Sequence, residues 1–171
     1  MQSPESVAAI LFNSDRTEVL LIQRRDVPVW VLPGGGLEAN EKPEVGIIRE
    51  ALEETGFKVE IKRLVGVYTP INRLAKVTYL YECSILEGSA ITTIETRGIQ
   101  FFNLKALPKL IPPPYPDWIA DSVNNGATVY KPISSATYLA LLKNLFLHPI
   151  LILRFILARM GWAINTNKWC N

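Results

Sequence analysis

GGGLEANEKPEVGIIREALEETGF, residues 34–57, brings three consecutive glycines, six glutamates and one arginine into a single short stretch. Glycine takes positive φ without a Cβ clash, so residues 34–36 suit a loop that turns sharply or comes close to a ligand. From Pro43 to Thr55 the pattern predicts a helix. Pro43 fits a first turn, where its missing N–H is no loss, and Gly56 fits a left-handed C-terminal cap. Val45, Ile48 and Leu52 recur at helical spacing with Ala51 beside them, and this stripe is expected to face a core. Gly46 costs about 1 kcal/mol against alanine and is expected to admit a closely packed strand. Glu50, Glu53 and Glu54 stand at i, i+3 and i+4, so they project from one side of the helix. Like charges there repel, and a hard divalent cation such as Mg²⁺, which favours carboxylates, water and phosphate oxygens, would reconcile them. Arg49, four residues before Glu53 and within reach of Glu41, is suited to orient a carboxylate. A solvated acidic face is the competing explanation, and the glycine loop at a fixed distance argues against it.

Outward from this stretch the pattern alternates strands with turns. Residues 6–12 and 18–23 are apolar runs separated by NSDRT, a turn-forming sequence, and are expected to pair as a hairpin. A short strand at Trp30–Leu32 stops at Pro33. After Gly56 the period becomes two: FKVEIKRLVGVY, AKVTYLYECSI (75–85) and GIQFFNL (98–104) read as half-buried strands. LPKLIPPPYP is a proline-rich crossing, and YPDWIADSV reads as a second helix. Residues 133–164 are strongly apolar, with Pro149 dividing two helices or kinking one. Only ten residues there, Asn144 to Leu153, run without a charge, where about 20 are needed to span a bilayer.

The 171 residues, 49% hydrophobic and 20% charged, suit one folded domain with a real core and exclude general disorder. A net charge of +2 with scattered basic residues excludes nucleic acid as the partner. Cys83 and Cys170 match no metal spacing, and their free thiols suit a reducing compartment. The N-terminus carries Glu5 and no basic region, so it reads as a first strand and not as a signal peptide. A cytoplasmic location is expected.

The stretch resembles the Nudix hydrolase signature, G-x5-E-x7-R-E-U-x-E-E-x-G-U, with U a bulky apolar residue. Gly35, Glu41, Arg49, Glu50, Glu53, Glu54 and Gly56 all match, and only Ala51 and Phe57 depart mildly. VWVLPGGG before it and IQFFNLKALP after it are similar to the flanking strands of such domains. The resemblance covers about residues 5–125. It implies an α/β fold, a Nudix-type α/β/α sandwich with a mixed sheet. Residues 1–130 are read as that domain, and residues 131–171 as an apolar helical extension.

The resemblance further implies cleavage of a pyrophosphate bond in a nucleoside diphosphate linked to another moiety, with Mg²⁺ or Mn²⁺. By the family's pattern Glu50, Glu53 and Glu54 bind the metal and the Gly34 carbonyl completes the set. Arg49 and Glu41 orient these groups. The general base is Glu53 or a later-loop glutamate, here Glu95, whose plainer reading is an exposed loop residue. Trp30 is a candidate to stack on a base or to pack in its strand. Arg24, Arg25, Arg73 and Lys76 are candidate phosphate contacts. The alternative function is a non-catalytic Nudix-type nucleotide-binding or regulatory module. The tail, Tyr138 to Met160, is expected to pack on the domain or on a second subunit, giving a homodimer. Otherwise it lies on an anionic membrane surface through Lys143, Arg154 and Arg159.

Overall fold

The structure, a computed structural model, describes residues 5–124 and 126–159, and the side chains of all of these except 144–146, 158 and 159. Cys170, Met160 and the Arg159 side chain lie outside the described residues. In chain order the elements are β1 (Glu5–Leu11), β2 (Glu18–Arg24), β3 (Trp30–Val31), α1 (Pro43–Thr55), β4 (Phe57–Thr69), β5 (Val77–Gly88), β6 (Thr96–Asn103), α2 (Tyr115–Val123), β7 (Val129–Pro132), α3 (Tyr138–Leu147) and α4 (Pro149–Arg159). A four-stranded mixed sheet has the order β1-β5-β4-β7, with β1 parallel to β5 and β7 parallel to β4. A three-stranded antiparallel sheet has the order β3-β2-β6.

β1 is apolar on both faces because both are covered. Val7, Ala9 and Leu11 pack with Ile47 and Ala51 of α1, while Ala8 and Ile10 pack with Trp118 and Ile119 of α2. One period-two strand thus divides the interior into two layers, a helix over each. This is the expected α/β sandwich. Glu82 is buried in β5 between Arg16 and Arg63, and both guanidiniums also donate to the Ser122 carbonyl of α2. That shared contact fastens α2 to the sheet.

Several expectations change. Residues 6–12 and 18–23 are strands, but the NSDRT turn does not close a ladder: one bridge joins Phe12 to Val19, and β1 and β2 then enter different sheets. β1 finds its partner some 70 residues later in β5, a long-range pairing that a local turn signal does not carry. The helix α1 has the expected bounds, and Gly56 caps it at φ 78°. Its apolar stripe does not face the core: Ile47 and Ala51 are fully buried, whereas Val45, Ile48 and Leu52 are exposed. Gly46 admits a loop, not a strand, since a Cβ there would lie 2.4 Å from Leu37 Cδ2. β7 was not anticipated. It pairs with β4, and Ile133 beyond it is buried in the core, so the ladder crosses the expected boundary at 130/131.

Candidate active site

The glycine loop is fastened to β1 by its backbone. Ala9 and Val7 donate N–H bonds to the carbonyls of Pro33 and Gly35, at 2.8 and 2.9 Å. Between them Gly34 has φ +148°, and a Cβ there would lie 2.2 Å from the Val7 carbonyl oxygen. The Gly34 N–H donates to Glu54 Oε2 at 2.6 Å. At Gly35 a Cβ would fall 2.6 Å from the Glu50 carboxylate atoms. The two adjacent glycines therefore do different work: one lets the loop lie on β1, the other leaves room for a carboxylate from α1.

Arg49 organises the remaining acids. Its Nε and Nη2 fork onto the two oxygens of Glu41 at 2.8 and 2.9 Å. Nη2 also donates to the Gly36 carbonyl at 3.3 Å, tying the helix back to the loop. Nη1 is shared between Glu50 Oε1 at 2.9 Å and Glu53 Oε2 at 3.1 Å. A bidentate guanidinium–carboxylate pair fixes orientation as well as charge, and Arg49 chiefly holds the Glu41 carboxyl down at about 2.

Glu54 is the unusual group. It is only 8% exposed, and among the described residues its carboxylate has a neutral N–H as its hydrogen-bond partner and no ion pair. Burial pushes its carboxyl up to about 8, the Gly34 hydrogen bond opposing and the Glu50 and Glu95 charges adding. Burial also raises Glu50, against the pull of Arg49. Buried carboxylates are costly when ionised unless a cation joins them. Among the described residues no three acids converge on one point, because Arg49 draws Glu50 and Glu53 to itself while Glu54 turns to Gly34. A donor set of hard oxygens with an uncompensated buried member fits a divalent cation at Glu50, Glu53 and Glu54.

The other expected residues fall in different places. Glu95 is exposed, but its loop is fastened beside α1 by the Ile91 N–H to Thr55 carbonyl bond of 3.0 Å, and its charge reaches Glu50 and Glu54. Trp30 packs edge-on against Phe102 with ring centroids 4.6 Å apart. Arg24 forks onto Asp26 at 2.9 and 2.6 Å and its charge acts on Glu54. Arg25 donates to the Thr93 and Thr96 carbonyls, bracing the Glu95 loop. Arg73 is exposed in the loop before β5.

Beside the glycine loop opens a cavity of about 600 Å³, with Gly34, Gly35, Arg24 and Lys76 on its wall. Lys76 Nζ lies 3.4 Å from where a Cβ of Gly36 would be. Arg73 and Trp30 are not among the lining residues. The connector Leu110–Tyr115 forms another wall. Its proline run carries no motif, so only its apolar character was legible beforehand. α4 lies at the rim, where Arg154 donates to the Asp26 and Arg25 carbonyls at 2.8 and 3.3 Å.

Known proteins share the sequence pattern and the fold of this chain. The family profile of the NUDIX domain matches residues 2–122. The chain is 31% identical over 134 residues to a putative 8-oxo-dGTP diphosphatase of Bacillus subtilis, covering 78% of this chain and 89% of that one. It is 32% identical over 99 residues to an ADP-ribose pyrophosphatase of Methanocaldococcus jannaschii, covering 54% and 59%. The crystal structure of an ADP-ribose pyrophosphatase from Streptococcus suis superposes with a TM-score of 0.63 at 24% identity, covering 76% of this chain and 99% of that one, which bears on the fold alone.

Proposed function

The chain belongs to the Nudix family, and we propose that it is a divalent-metal-dependent pyrophosphohydrolase acting on a nucleoside diphosphate linked to another moiety. The observation that carries this reading is Glu54, a buried carboxylate of α1 with no ion pair among the described residues, set beside Glu50 against the glycine loop. The two relatives named for diphosphatase and pyrophosphatase activity support the bond cleaved. Their different substrates leave the organic group to the cavity of this chain.

Glu50, Glu53 and Glu54 would hold Mg²⁺ or Mn²⁺, with the Gly34 carbonyl as a fourth donor. A bound divalent cation neutralises diphosphate oxygens and makes water a better nucleophile at neutral pH. The protein's own part is placement. Glu41 keeps Nε and Nη2 of Arg49 occupied, so the site can take Glu50 and Glu53 from Nη1 without releasing the arginine. Glu53, 58% exposed in its side chain and held by one bond to Oε2, has Oε1 available to accept a proton from attacking water. Glu95, whose charge reaches Glu50 and Glu54, is the alternative base. Lys76 and Arg24 lie where phosphate oxygens of a substrate at the glycine loop would meet them.

Glu53→Gln tests the assignment. We expect turnover to fall at least about a hundredfold, as loss of a general base does. Stability should change by less than about 1 kcal/mol, because an exposed pair contributes little. Wild-type turnover in that variant, with Mg²⁺ present, refutes the role. The substrate panel is nucleoside triphosphates, ADP-ribose, dinucleoside polyphosphates and nucleotide sugars. Tight binding without any product would instead favour the non-catalytic module.

We also propose that the helical extension packs on its own domain, supported by the Arg154 bonds to the loop after β2. Gel filtration of the full chain as a monomer, with a chain ending at residue 137 becoming less soluble, is the expected result. A full-chain dimer would favour the second subunit, and binding to anionic vesicles the membrane surface. Among the described residues no helix is long and apolar enough to cross a membrane.

A further inference from the structure

The cavity beside the glycine loop is divided in character. Of its charged side chains, Arg24 and Lys76 are tied to the loop and to Glu54, Lys109 stands at the start of the proline connector, and Asp26 is held by Arg24. Away from them the walls are mostly apolar. Pro112, Pro113 and Pro114 have no N–H to donate. Three of the carbonyls around them are already engaged: Leu110 accepts from the Trp30 N–H at 2.8 Å, Pro112 from Tyr115 at 3.2 Å, and Pro114 from Asp117 and Trp118 at 3.1 and 3.2 Å. Facing this connector are Ala8, Val27, Val31 and Leu32, with Trp118 and Ile133 beneath.

Three of the hydroxyls are already engaged. Ser6 and Thr78 bond each other at 2.8 Å, and Thr137 accepts from the Ala140 N–H at 3.0 Å. Ser135 Oγ is buried without a hydrogen-bond partner among the described residues, and Tyr115 adds one further hydroxyl to the wall. The helical segment closes the remaining side with Leu141, Leu151, Ile152 and Phe155, and with one imidazole, His148. A site that reads a nucleobase must offer donors and acceptors to its edge, and a polar edge left unpaired in an apolar wall is penalised. An aliphatic chain has no such requirement, and the volume lies within the range of ligand pockets.

We propose, building on the hydrolase reading above, that the moiety linked to the nucleoside diphosphate is apolar, an alkyl or prenyl chain that enters this cavity while its phosphates remain at the glycine loop. In the reaction the oxygen of water bonds to one phosphorus and the bridging P–O bond breaks. The products are a nucleoside monophosphate and an alkyl monophosphate, with the two protons of water going to the departing phosphate and to solvent.

Adenosine diphosphate esterified on its terminal phosphate with methyl, butyl or octyl groups holds charge constant and varies only the chain. With the full chain and Mg²⁺, kcat/KM should rise about three- to fourfold per methylene until the cavity is filled. The octyl ester should exceed ADP-ribose at least tenfold. Ile111→Asp, on the apolar wall, should flatten the dependence on chain length. A second readout needs neither metal nor turnover: in EDTA, octyl phosphate should quench tryptophan fluorescence at much lower concentration than methyl phosphate, since Trp118 lines the cavity. Hydrolysis with no dependence on chain length, or a preference for ADP-ribose, overturns the apolar substrate and leaves the hydrolase standing. If no diphosphate is cleaved, the hydrolase reading falls. The apolar cavity is then still judged by binding, and equal affinity for octyl and methyl phosphate overturns it.

Discussion

Replacing Gly34 and Gly35 one at a time with alanine should produce two different failures from adjacent positions. At Gly34 the new Cβ lies 2.2 Å from a backbone carbonyl oxygen of β1 and 2.7 Å from Ala8 Cα, and φ is +148°. Neither the clashing atoms nor the dihedral can be relieved by rotating a side chain. Overpacking of this kind costs about 1–3 kcal/mol, and the backbone strain about 1–3 kcal/mol more. For a chain of this length each kcal/mol shifts Tm by about 2–4 °C, so a fall of roughly 5–20 °C is expected. At Gly35 the new Cβ meets the carboxylate end of Glu50 at 2.6 Å, and no positive φ adds strain. That flexible end can swing away, so stability should change by about 1 kcal/mol or less. The displaced carboxylate is one of the proposed metal donors, and Mg²⁺ affinity should fall at least about tenfold. Thermal melts in EDTA and Mg²⁺ titrations of turnover separate the two outcomes. A Gly34→Ala protein that melts like wild type refutes the backbone clash. A Gly35→Ala protein with unchanged Mg²⁺ dependence refutes Glu50 as a donor.

Three further outcomes follow from burial. Ile47→Ala should cost about 2–5 kcal/mol in urea denaturation, and Ile48→Ala less than about 1, since Ile47 is fully buried and Ile48 is 43% exposed. Equal losses would mean that α1 presents another face. For Glu54, the folded carboxyl lies at about 8 against an ordinary 4.5, so the folded state binds the extra proton and stability in EDTA should fall as pH rises from about 4.5 to 8. The ceiling is about 5 kcal/mol at 1.36 kcal/mol per pH unit. Glu54→Gln should flatten the profile and Mg²⁺ should restore stability at pH 8, whereas a level wild-type profile in EDTA refutes the buried charge. The Cys83 thiol is buried and pushed up to about 12, so alkylation mapped by mass spectrometry at pH 8 should reach it only after unfolding. Rapid labelling of Cys83 in the native protein would contradict its place in the core.

What the sequence reveals here depends on how local the information is. Pro43 and Gly56 mark the ends of α1 because each acts through its own backbone, and α1 has those ends. The same helix misleads about its face. It buries Gly46, Ala51 and Thr55 with Ile47 and leaves bulkier Val45, Ile48 and Leu52 outside, since Leu37 from the loop fills the space above Gly46. Size ranks the stripe one way; a partner nine residues upstream reverses it. The NSDRT turn behaves likewise: Asn13 Oδ1 accepts from the Thr17 and Glu18 N–H groups, so the turn forms as its residues demand. Which sheet each flanking strand then joins is decided by β5 and β6, far along the chain.

The acidic cluster shows the same division. Spacing places Glu50, Glu53 and Glu54 on one side of α1, but it does not determine which carboxylate Arg49 holds and which is left buried. That depends on two groups outside the helix, the Gly34 N–H and the Glu41 carboxylate. The proline run at 112–114 is informative in another way. Its missing N–H groups are legible in the sequence, yet they acquire meaning only where Trp30 and Tyr115 engage the Leu110 and Pro112 carbonyls and the run lines the same cavity as β1 and β3. On the proposal of an apolar substrate, a stretch with no motif constrains the substrate by what its backbone is unable to offer.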